Sequence, residues 1–432
     1  MSNQNGDAPA SPDPARPDGG APSAGSESAP SKGRFKLAMC FLVAALEGYD
    51  IQVISSAAPQ LRVAMNLRPD QIGIFFAATL IGLAIGAVLG GWFSDRYGRK
   101  PVLIGSVCAL GLFTFLTTLV TSYDGLLITR ILAGIGLGGA MPTLIATVAE
   151  LSGGRRTTSA VTTMICGQPT GGIVSALTGQ TIANAFGWQS LFFTGGVLTL
   201  LIVPFVIFLI PETGKPLHHE ARTPQMPAAR ALFGDGRTAS TLLLWLIFIL
   251  ALALLSILLS WTPLLVIGKG LGKMVGLNTV IAINFGGILG GLAISRLIDR
   301  HGVRWPMIAL FAIVTVSLFL FANAASSIAM ILLGVAVGFG VLGAQFTLYG
   351  IAPRLYPVAG RGSGVGIAVA MGRVGSILGP ILIGDYIHGG ASENEAVLLM
   401  MPAAVIAGLA VFLLANSSKG VLDIDLAAGP QK

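Results

Sequence analysis

The chain has 432 residues, of which 53% are hydrophobic and only 10% charged, with a mean hydropathy of +0.80. A soluble domain carries about 25% charged residues, so the composition excludes an ordinary soluble protein and indicates a polytopic membrane protein. The net charge of +7 requires no nucleic-acid partner, because membrane proteins concentrate Lys and Arg in the loops on one side.

Residues 1–34 are rich in Pro, Ser, Gly, Ala and Asp and read as a disordered tail. They carry no signal-peptide pattern. Twelve apolar segments follow, near 36–60, 71–93, 101–120, 125–149, 157–183, 188–210, 239–267, 275–295, 305–322, 328–352, 362–388 and 396–415. All are predicted to be helices, since a helix satisfies its own backbone in lipid. The many glycines suit close helix packing. The longest internal polar stretch, Pro211 to Arg237, divides the chain in two. The expected organisation is a tail (1–34), a six-helix bundle (35–210), a linker (211–238), a second six-helix bundle (239–416) and a C-terminal tail (417–432). Cys40, Cys108 and Cys166 fall inside apolar runs and read as small core residues, and the four histidines make no zinc pattern.

An even number of spans puts both termini on one side. The tails and loops of that side hold 20 Lys and Arg, the opposite side holds only Arg62, Arg68, Lys269 and Lys273, and Arg130 and Arg373 lie inside spans. The termini are therefore predicted to be cytoplasmic. The halves also repeat. Ser94-Asp95-Arg96-Tyr97-Gly98-Arg99-Lys100 follows span two, and Ile298-Asp299-Arg300-His301-Gly302-Val303-Arg304 follows span eight, with Asp95 and Asp299 204 residues apart. Two repeated six-helix halves are the sequence trace of an alternating-access transporter.

The first span contains Glu47 and Asp50, three residues apart and so on one helix face. An ionisable group at the bilayer centre costs roughly 2.5–3.5 kcal/mol. Two near one depth need a cavity, a proton or a cationic partner, and they are read as the place where a proton is handled. Arg373 lies near the middle of span eleven. Its guanidinium can bind a carboxylate through two parallel bonds, either the substrate's or, in the empty site, that of the span-one acids. The half-repeat places Pro169 at the corresponding position, so the repeat itself requires no charge there. Arg130, about five residues into span four, is open to a coupling or a structural role.

Gly91-x-x-x-Asp95-Arg96-x-Gly98-Arg99-Lys100 resembles the signature loop of the major facilitator superfamily, with a weaker copy at Asp299-Arg300-x-Gly302. Arg130-x-x-x-Gly134-x-Gly136-x-Gly138, ending at Pro142, is similar to the fourth-helix motif of that superfamily. Glu47-Gly48-Tyr49-Asp50 with Pro59 resembles the first-helix motif of the aromatic acid:proton symporters, with Glu47 in place of the usual Asp. Tyr356-Pro357, Arg361, Gly364-Val365-Gly366, Gly372-Arg373-x-Gly375 and Gly379-Pro380 resemble that subfamily's signature around helix eleven. The resemblance covers about residues 35–416.

It implies an all-α membrane protein of twelve helices in two pseudo-symmetric bundles. The implied activity is uptake of an aromatic carboxylate together with a proton across a bacterial inner membrane. The protein would work as a monomer with no cofactor beyond the coupling ion. Asp95, Arg96, Arg99 and Lys100 would form an inner gate, with Glu150, Arg155, Arg361, Asp299 and Arg300 at the same surface. An aromatic ligand needs an apolar slot with a few polar anchors, for which Tyr49, Asn284, Gln345, Phe346 and Tyr349 are the mid-span candidates. Gly167-Gln168-Pro169-Thr170-Gly171-Gly172 resembles the fifth-helix motif of drug:proton antiporters, which keeps export of apolar compounds as the alternative. Close packing or a helix bend explains the same glycines. Pro211-Glu212-Thr213 resembles a motif seen after helix six in several transporter families. No nucleotide-binding loop and no nucleophile motif indicates an ATP-driven pump or an enzyme.

Overall fold

The computed structural model describes residues 30–152, 157–210, 227–357 and 360–417. Among them all regular structure is helical. The first half contains α1 (Pro30–Ala64), α2 (Pro69–Tyr97), α3 (Arg99–Leu116), α4 (Tyr123–Ser152), α5 (Thr157–Ile165), α6 (Gly167–Phe186) and α7 (Gln189–Leu209). The second contains α8 (Ala228–Phe233), α9 (Thr238–Gly268), α10 (Lys273–His301), α11 (Arg304–Asn323), α12 (Ser327–Leu355), α13 (Arg361–His388), α14 (Glu393–Leu398) and α15 (Met401–Ser417).

Eleven of these helical stretches are long and apolar enough to cross a membrane. The expected fifth span is present as α5 and α6, divided at Cys166. Pro169 has no N–H to offer the carbonyl of Ile165, so the regular ladder stops at Ile165 and restarts. Pro402 does the same between α14 and α15. The first helix starts at Pro30, inside the stretch expected to be a disordered tail, and proline is well placed at a helix start. In the expected linker, α8 docks on the second half through buried Ala231 and Leu232. Residues 1–29, Arg155, the Pro211-Glu212-Thr213 motif and residues 418–432 lie outside the described residues, as do the side chains of Asp95, Glu150, Asp299 and Arg300.

The 204-residue repeat seen in two loops extends into the backbone. A side chain at Gly82 would strike the Ile131 carbonyl, at Gly86 the Ile135 carbonyl, and at Gly134 the Thr79 carbonyl. In the second half Gly286 meets the Val335 carbonyl, Gly290 the Phe339 carbonyl, and Gly338 the Ile283 carbonyl. All six positions on the second list follow their counterparts by 204 residues. The α2–α4 and α10–α12 pairs are therefore the same backbone-to-backbone contact made twice, and small residues permit it.

The halves meet at the face opposite the chain ends. One core cluster there includes Val53, Leu61, Phe75 and Phe76 from the first half with Leu258, Trp261, Leu265 and Phe321 from the second. Phe76 packs edge-on to Trp261 at 5.3 Å, and Trp261 Nε1 donates to the Pro380 carbonyl at 3.1 Å. Gly73 and Gly384 let α2 and α13 touch through their backbones. Toward the face of the chain ends the core divides. Met39, Leu103, Leu144 and Val206 belong to one half, and Leu244, Phe248, Leu310 and Leu414 to the other. At that end of α2 and α13, Gly91, Gly362 and Gly366 have open space where a side chain would stand. The molecule is thus two six-helix bundles closed at one face and parted at the other.

Gly338→Val is expected to lower stability by about 1–3 kcal/mol through overpacking against α10, read as a lower unfolding temperature in detergent. Gly366→Ala, with nothing to strike, is expected to stay within about 1 kcal/mol of the parent.

Candidate functional site

The charged centre of the first half is built on α1, α3, α4 and α7. Asp50 Oδ1 accepts from Arg130 Nη1 at 3.3 Å, with the two side chains 2% and 0% exposed. Thr114 Oγ1 on α3 also donates to Oδ1. Arg130 Nη2 donates to Thr117 Oγ1 at 2.7 Å and to the Phe113 carbonyl at 3.3 Å. The guanidinium lies over the Phe192 ring, 4.9 Å from its centroid. The position of these acceptors follows from local structure. Helix α3 tightens into a 3-10 turn at Thr117–Leu119. Its last carbonyls carry the negative end of the helix dipole, a favourable place for a cation. Asp50 Oδ2 and Arg130 Nε have no hydrogen-bond partner among the described residues.

Glu47 is fully buried one helical turn away, and neither carboxyl oxygen is in hydrogen-bonding geometry with any group. The side chain of Gln168 on α6 stands beside it as a hydrogen-bond donor that falls short of full bonding geometry. The backbones approach closely here: a side chain at Gly48 would strike the Gln168 carbonyl, and one at Gly171 the Ala45 carbonyl. The fifth-helix glycines therefore serve close packing of α6 on α1.

The structure corrects one pairing and shows the partners of two candidates. Arg130, not Arg373, holds the span-one acid. Its long side chain reaches Asp50 from α4, inside the same half. Tyr49 is buried, with its hydroxyl donating to the Leu191 carbonyl at 3.0 Å and within 3.2 Å of Thr178 Oγ1, so its polar atom is spent within the first half. Asn284 is engaged by Gln52 of α1. The two amides exchange both bonds, Gln52 Nε2 to Asn284 Oδ1 at 3.0 Å and Asn284 Nδ2 to Gln52 Oε1 at 2.7 Å.

Arg373 is half-buried and, among the described residues, its side chain has neither a hydrogen-bond nor an ion-pair partner. It stands 15 residues before the end of α13 at the closed face, and Asp50 stands 14 before the end of α1, so the two are at similar depth. Phe248 packs against Gly372, next to Arg373, and edge-on to Tyr349 at 5.8 Å. Gln345 Nε2 reaches Tyr349 Oη at 3.5 Å. Arg373 on α13 and Gln345 and Tyr349 on α12 are all half-buried in the second half. Phe346 turns instead toward Gly291 of α10. At the parted face Arg361 is exposed, and Arg96 lies exposed over Trp92 and Tyr97 at 5.7 and 5.8 Å, while Arg99 and Lys100 are half-buried.

Sequence reasoning assigned no role to Gln52, Thr114, Thr117 or Phe192 and offered Gln168 only as part of the fifth-helix glycine motif. Gln52 carried a usable signal, as an amide two residues from Asp50 in a bilayer-length apolar run. The threonines carried none, since a hydroxyl in a span usually bonds its own helix.

Comparison with known proteins decides the family. The Major Facilitator Superfamily profile matches residues 40–380 and 274–428. The chain belongs to this superfamily. It is 36% identical over 378 residues to the 3-(3-hydroxy-phenyl)propionate transporter of Escherichia coli (strain K12), covering 88% of this chain and 93% of that one. It is 31% identical over 402 residues to a 4-hydroxybenzoate transporter of Pseudomonas aeruginosa, covering 85% and 89%. These relatives place it with the aromatic acid:proton symporter family. The fold matches that of a bacterial homologue of the human lysosomal transporter Spinster with a TM-score of 0.70 at 17% identity, covering 90% of this chain and 98% of that one. The protein is a multi-pass membrane transporter and not an enzyme.

Breaking one member of the buried pair leaves the other charge unpaired. Arg130→Leu is therefore expected to destabilise by about 3–5 kcal/mol. The double variant Asp50→Leu/Arg130→Leu is expected to regain most of that stability, as read by thermal unfolding in detergent.

Proposed function

We propose that the protein imports an aromatic carboxylate with a proton across a bacterial inner membrane, by alternating access and as a monomer without a cofactor. The observation that carries this reading is Arg373, a half-buried arginine at mid-span depth with no partner among the described residues. A permanently charged guanidinium in such a place calls for an anion, and a planar fork fits a carboxylate. Arg130 cannot serve, because Asp50 already neutralises it. The related transporters act on 3-(3-hydroxyphenyl)propionate and 4-hydroxybenzoate, which supports an aromatic acid bearing ring hydroxyls. Half-buried Tyr349 and Gln345 of the same half supply the polar wall of the slot, with the buried Phe248 packed behind Tyr349.

The proton is assigned to the α1 acids. Among the described residues Glu47 has no cation beside it, and the Gln168 side chain is a neighbouring donor that falls short of full hydrogen-bonding geometry; a buried charge without a cationic partner costs several kcal/mol. A proton on Glu47 removes that cost. Asp50 sits one turn away with one oxygen unbonded, so the two acids can exchange a proton during the cycle. Twenty of the Lys and Arg residues lie in the tails and loops on the side of the chain ends, which makes that side cytoplasmic. The parted face is then the inner one, and the structure is open to the cytoplasm. Asp95, Arg96, Arg99, Lys100 and Arg361 are assigned to close this face when the outer one opens, a role in which Glu150, Arg155, Asp299 and Arg300 would take part.

Uptake of labelled hydroxybenzoates, protocatechuate, vanillate and benzoate into expressing cells tests the reading. Accumulation is expected above the level of Asp50→Asn cells and is expected to collapse with a protonophore. Full concentrative uptake by Asp50→Asn would reject the proton site. Arg373→Lys, which keeps the charge and loses the fork, is expected to raise KM about tenfold or more. An unchanged KM would remove Arg373 from the substrate.

A further inference from the structure

Helix α1 presents different chemistry on nearly opposite faces. Asp50 points to α3 and α4. Gln52, two residues on, is rotated about 200° and cannot share that face. It crosses between the halves to Asn284 of α10, with the two side chains 4% and 1% exposed. Gln52 lies 12 residues before the end of α1, and Asn284 lies 11 after the start of α10. Both are thus about 17 Å from the closed face, near the middle of a hydrocarbon layer about 30 Å thick. The other amide contact between the halves on this seam, Gln180 Nε2 to Asn278 Oδ1 at 2.8 Å, lies nearer that face. Gln52 and Asn284 therefore join the halves near mid-span, farther from the closed face than the Gln180–Asn278 contact.

The bonding of the pair fixes what can replace it. Each amide offers the other one N–H and one C=O, and Asn284 Nδ2 has a further bond to the Val280 carbonyl at 2.9 Å that holds its orientation. Separation of the halves at the outer face parts the two amides and strands buried donors and acceptors, at a cost unless something else satisfies them. A carboxylate offers acceptors only and cannot answer the two carbonyls. A hydroxyl is donor and acceptor together. Placed between the amides, it accepts from Asn284 Nδ2–H and donates to Gln52 Oε1. A second, adjacent hydroxyl accepts from Gln52 Nε2–H and donates to Asn284 Oδ1. One hydroxyl replaces one bond of the pair, and two neighbouring hydroxyls replace both.

We propose that Gln52 and Asn284 form the subsite that reads hydroxyl groups on the ligand ring, the ring hydroxyls taking over the bonds the two amides make to each other. This rests on the reading of an aromatic acid as substrate and adds how its ring is selected. Arg373 fixes the carboxylate end, and the amide pair reads the ring.

The test is calorimetric binding of benzoate, 4-hydroxybenzoate, 4-methoxybenzoate and 3,4-dihydroxybenzoate to the purified full-length protein in detergent. Affinity is expected to rise about tenfold from benzoate to 4-hydroxybenzoate and further for the dihydroxy acid. The methoxy acid, which accepts but cannot donate, is expected to fall with benzoate. In Gln52→Leu/Asn284→Leu, which replaces both partners by apolar groups, the ratio of hydroxylated to plain acid is expected to shrink to within about twofold. Gln52→Met/Asn284→Met serves the same purpose if the leucine variant does not fold. Equal affinities in the parent, or a ratio preserved in either folded variant, would overturn the subsite while leaving the substrate class intact. Binding of none of the four acids would reject the substrate class and the subsite with it.

Discussion

Asp50 and Arg130 form an ion pair with almost no access to water, and the first half is arranged to make that tolerable. Two charges taken out of water cost more than their attraction returns unless further hydrogen bonds complete the site. Here α3 supplies Thr114, Thr117 and the Phe113 carbonyl, and α7 supplies the Phe192 ring. Four helices thus converge on one pair of side chains. The second half has no counterpart. The residues 204 positions on from Asp50 and Arg130 are Leu254 and Gly334. The repeat conserves the glycines that set helix spacing and not the groups that carry charge. Symmetry belongs to the scaffold, and chemistry is confined to one side of it.

Helix α1 connects this charged centre to the seam between the halves. Asp50 is tied to α3 and α4, the Tyr49 hydroxyl to the Leu191 carbonyl at the start of α7, and Gln52 to α10 of the other half. The Gly48 and Gly171 contacts press α6 against its back. A helix held this way cannot turn or slide without disturbing both its ion pair and its amide pair. Under the proposed reading, a change in charge on α1 would be felt at the contact between the halves through one helix and no longer chain of contacts.

The fold was legible because its determinants are one-dimensional. Span length, glycine spacing and the 204-residue repeat are all visible along the chain, and each reappears in the structure, the repeat down to individual carbonyl contacts. The depth of Glu47, Asp50, Arg130 and Arg373 was legible for the same reason. What the sequence lacked was direction around each helix axis relative to its neighbours. That is why Arg373 was offered to the span-one acids when Arg130 holds one of them, and why Asn284 was read as a ligand contact without Gln52 opposite it. The break at Cys166 was obscured for a related reason. Pro169 falls in a glycine-rich run that also packs closely, and composition alone does not separate a packing motif from an interrupted ladder.

The placement of four charges bears on why coupling would be obligatory under the proposed reading. Glu47, Asp50, Arg130 and Arg373 are the ionisable side chains, apart from tyrosine and cysteine, that lie deep within the spans among the described residues. Empty and with Glu47 ionised, they sum to zero. With a substrate carboxylate on Arg373 and a proton on Glu47 they again sum to zero. A bound carboxylate without the proton leaves one net negative charge, and a proton without the carboxylate leaves one net positive charge. A net charge in the low-dielectric interior adds to the cost that each buried ion already bears, and an occluded state withdraws the water that would otherwise screen it. The two neutral forms are therefore the ones that pass most readily through the occluded state. A carrier restricted to those forms moves one acid inward with one proton and returns empty. No direct contact between the two sites is needed, because the requirement of neutrality couples them.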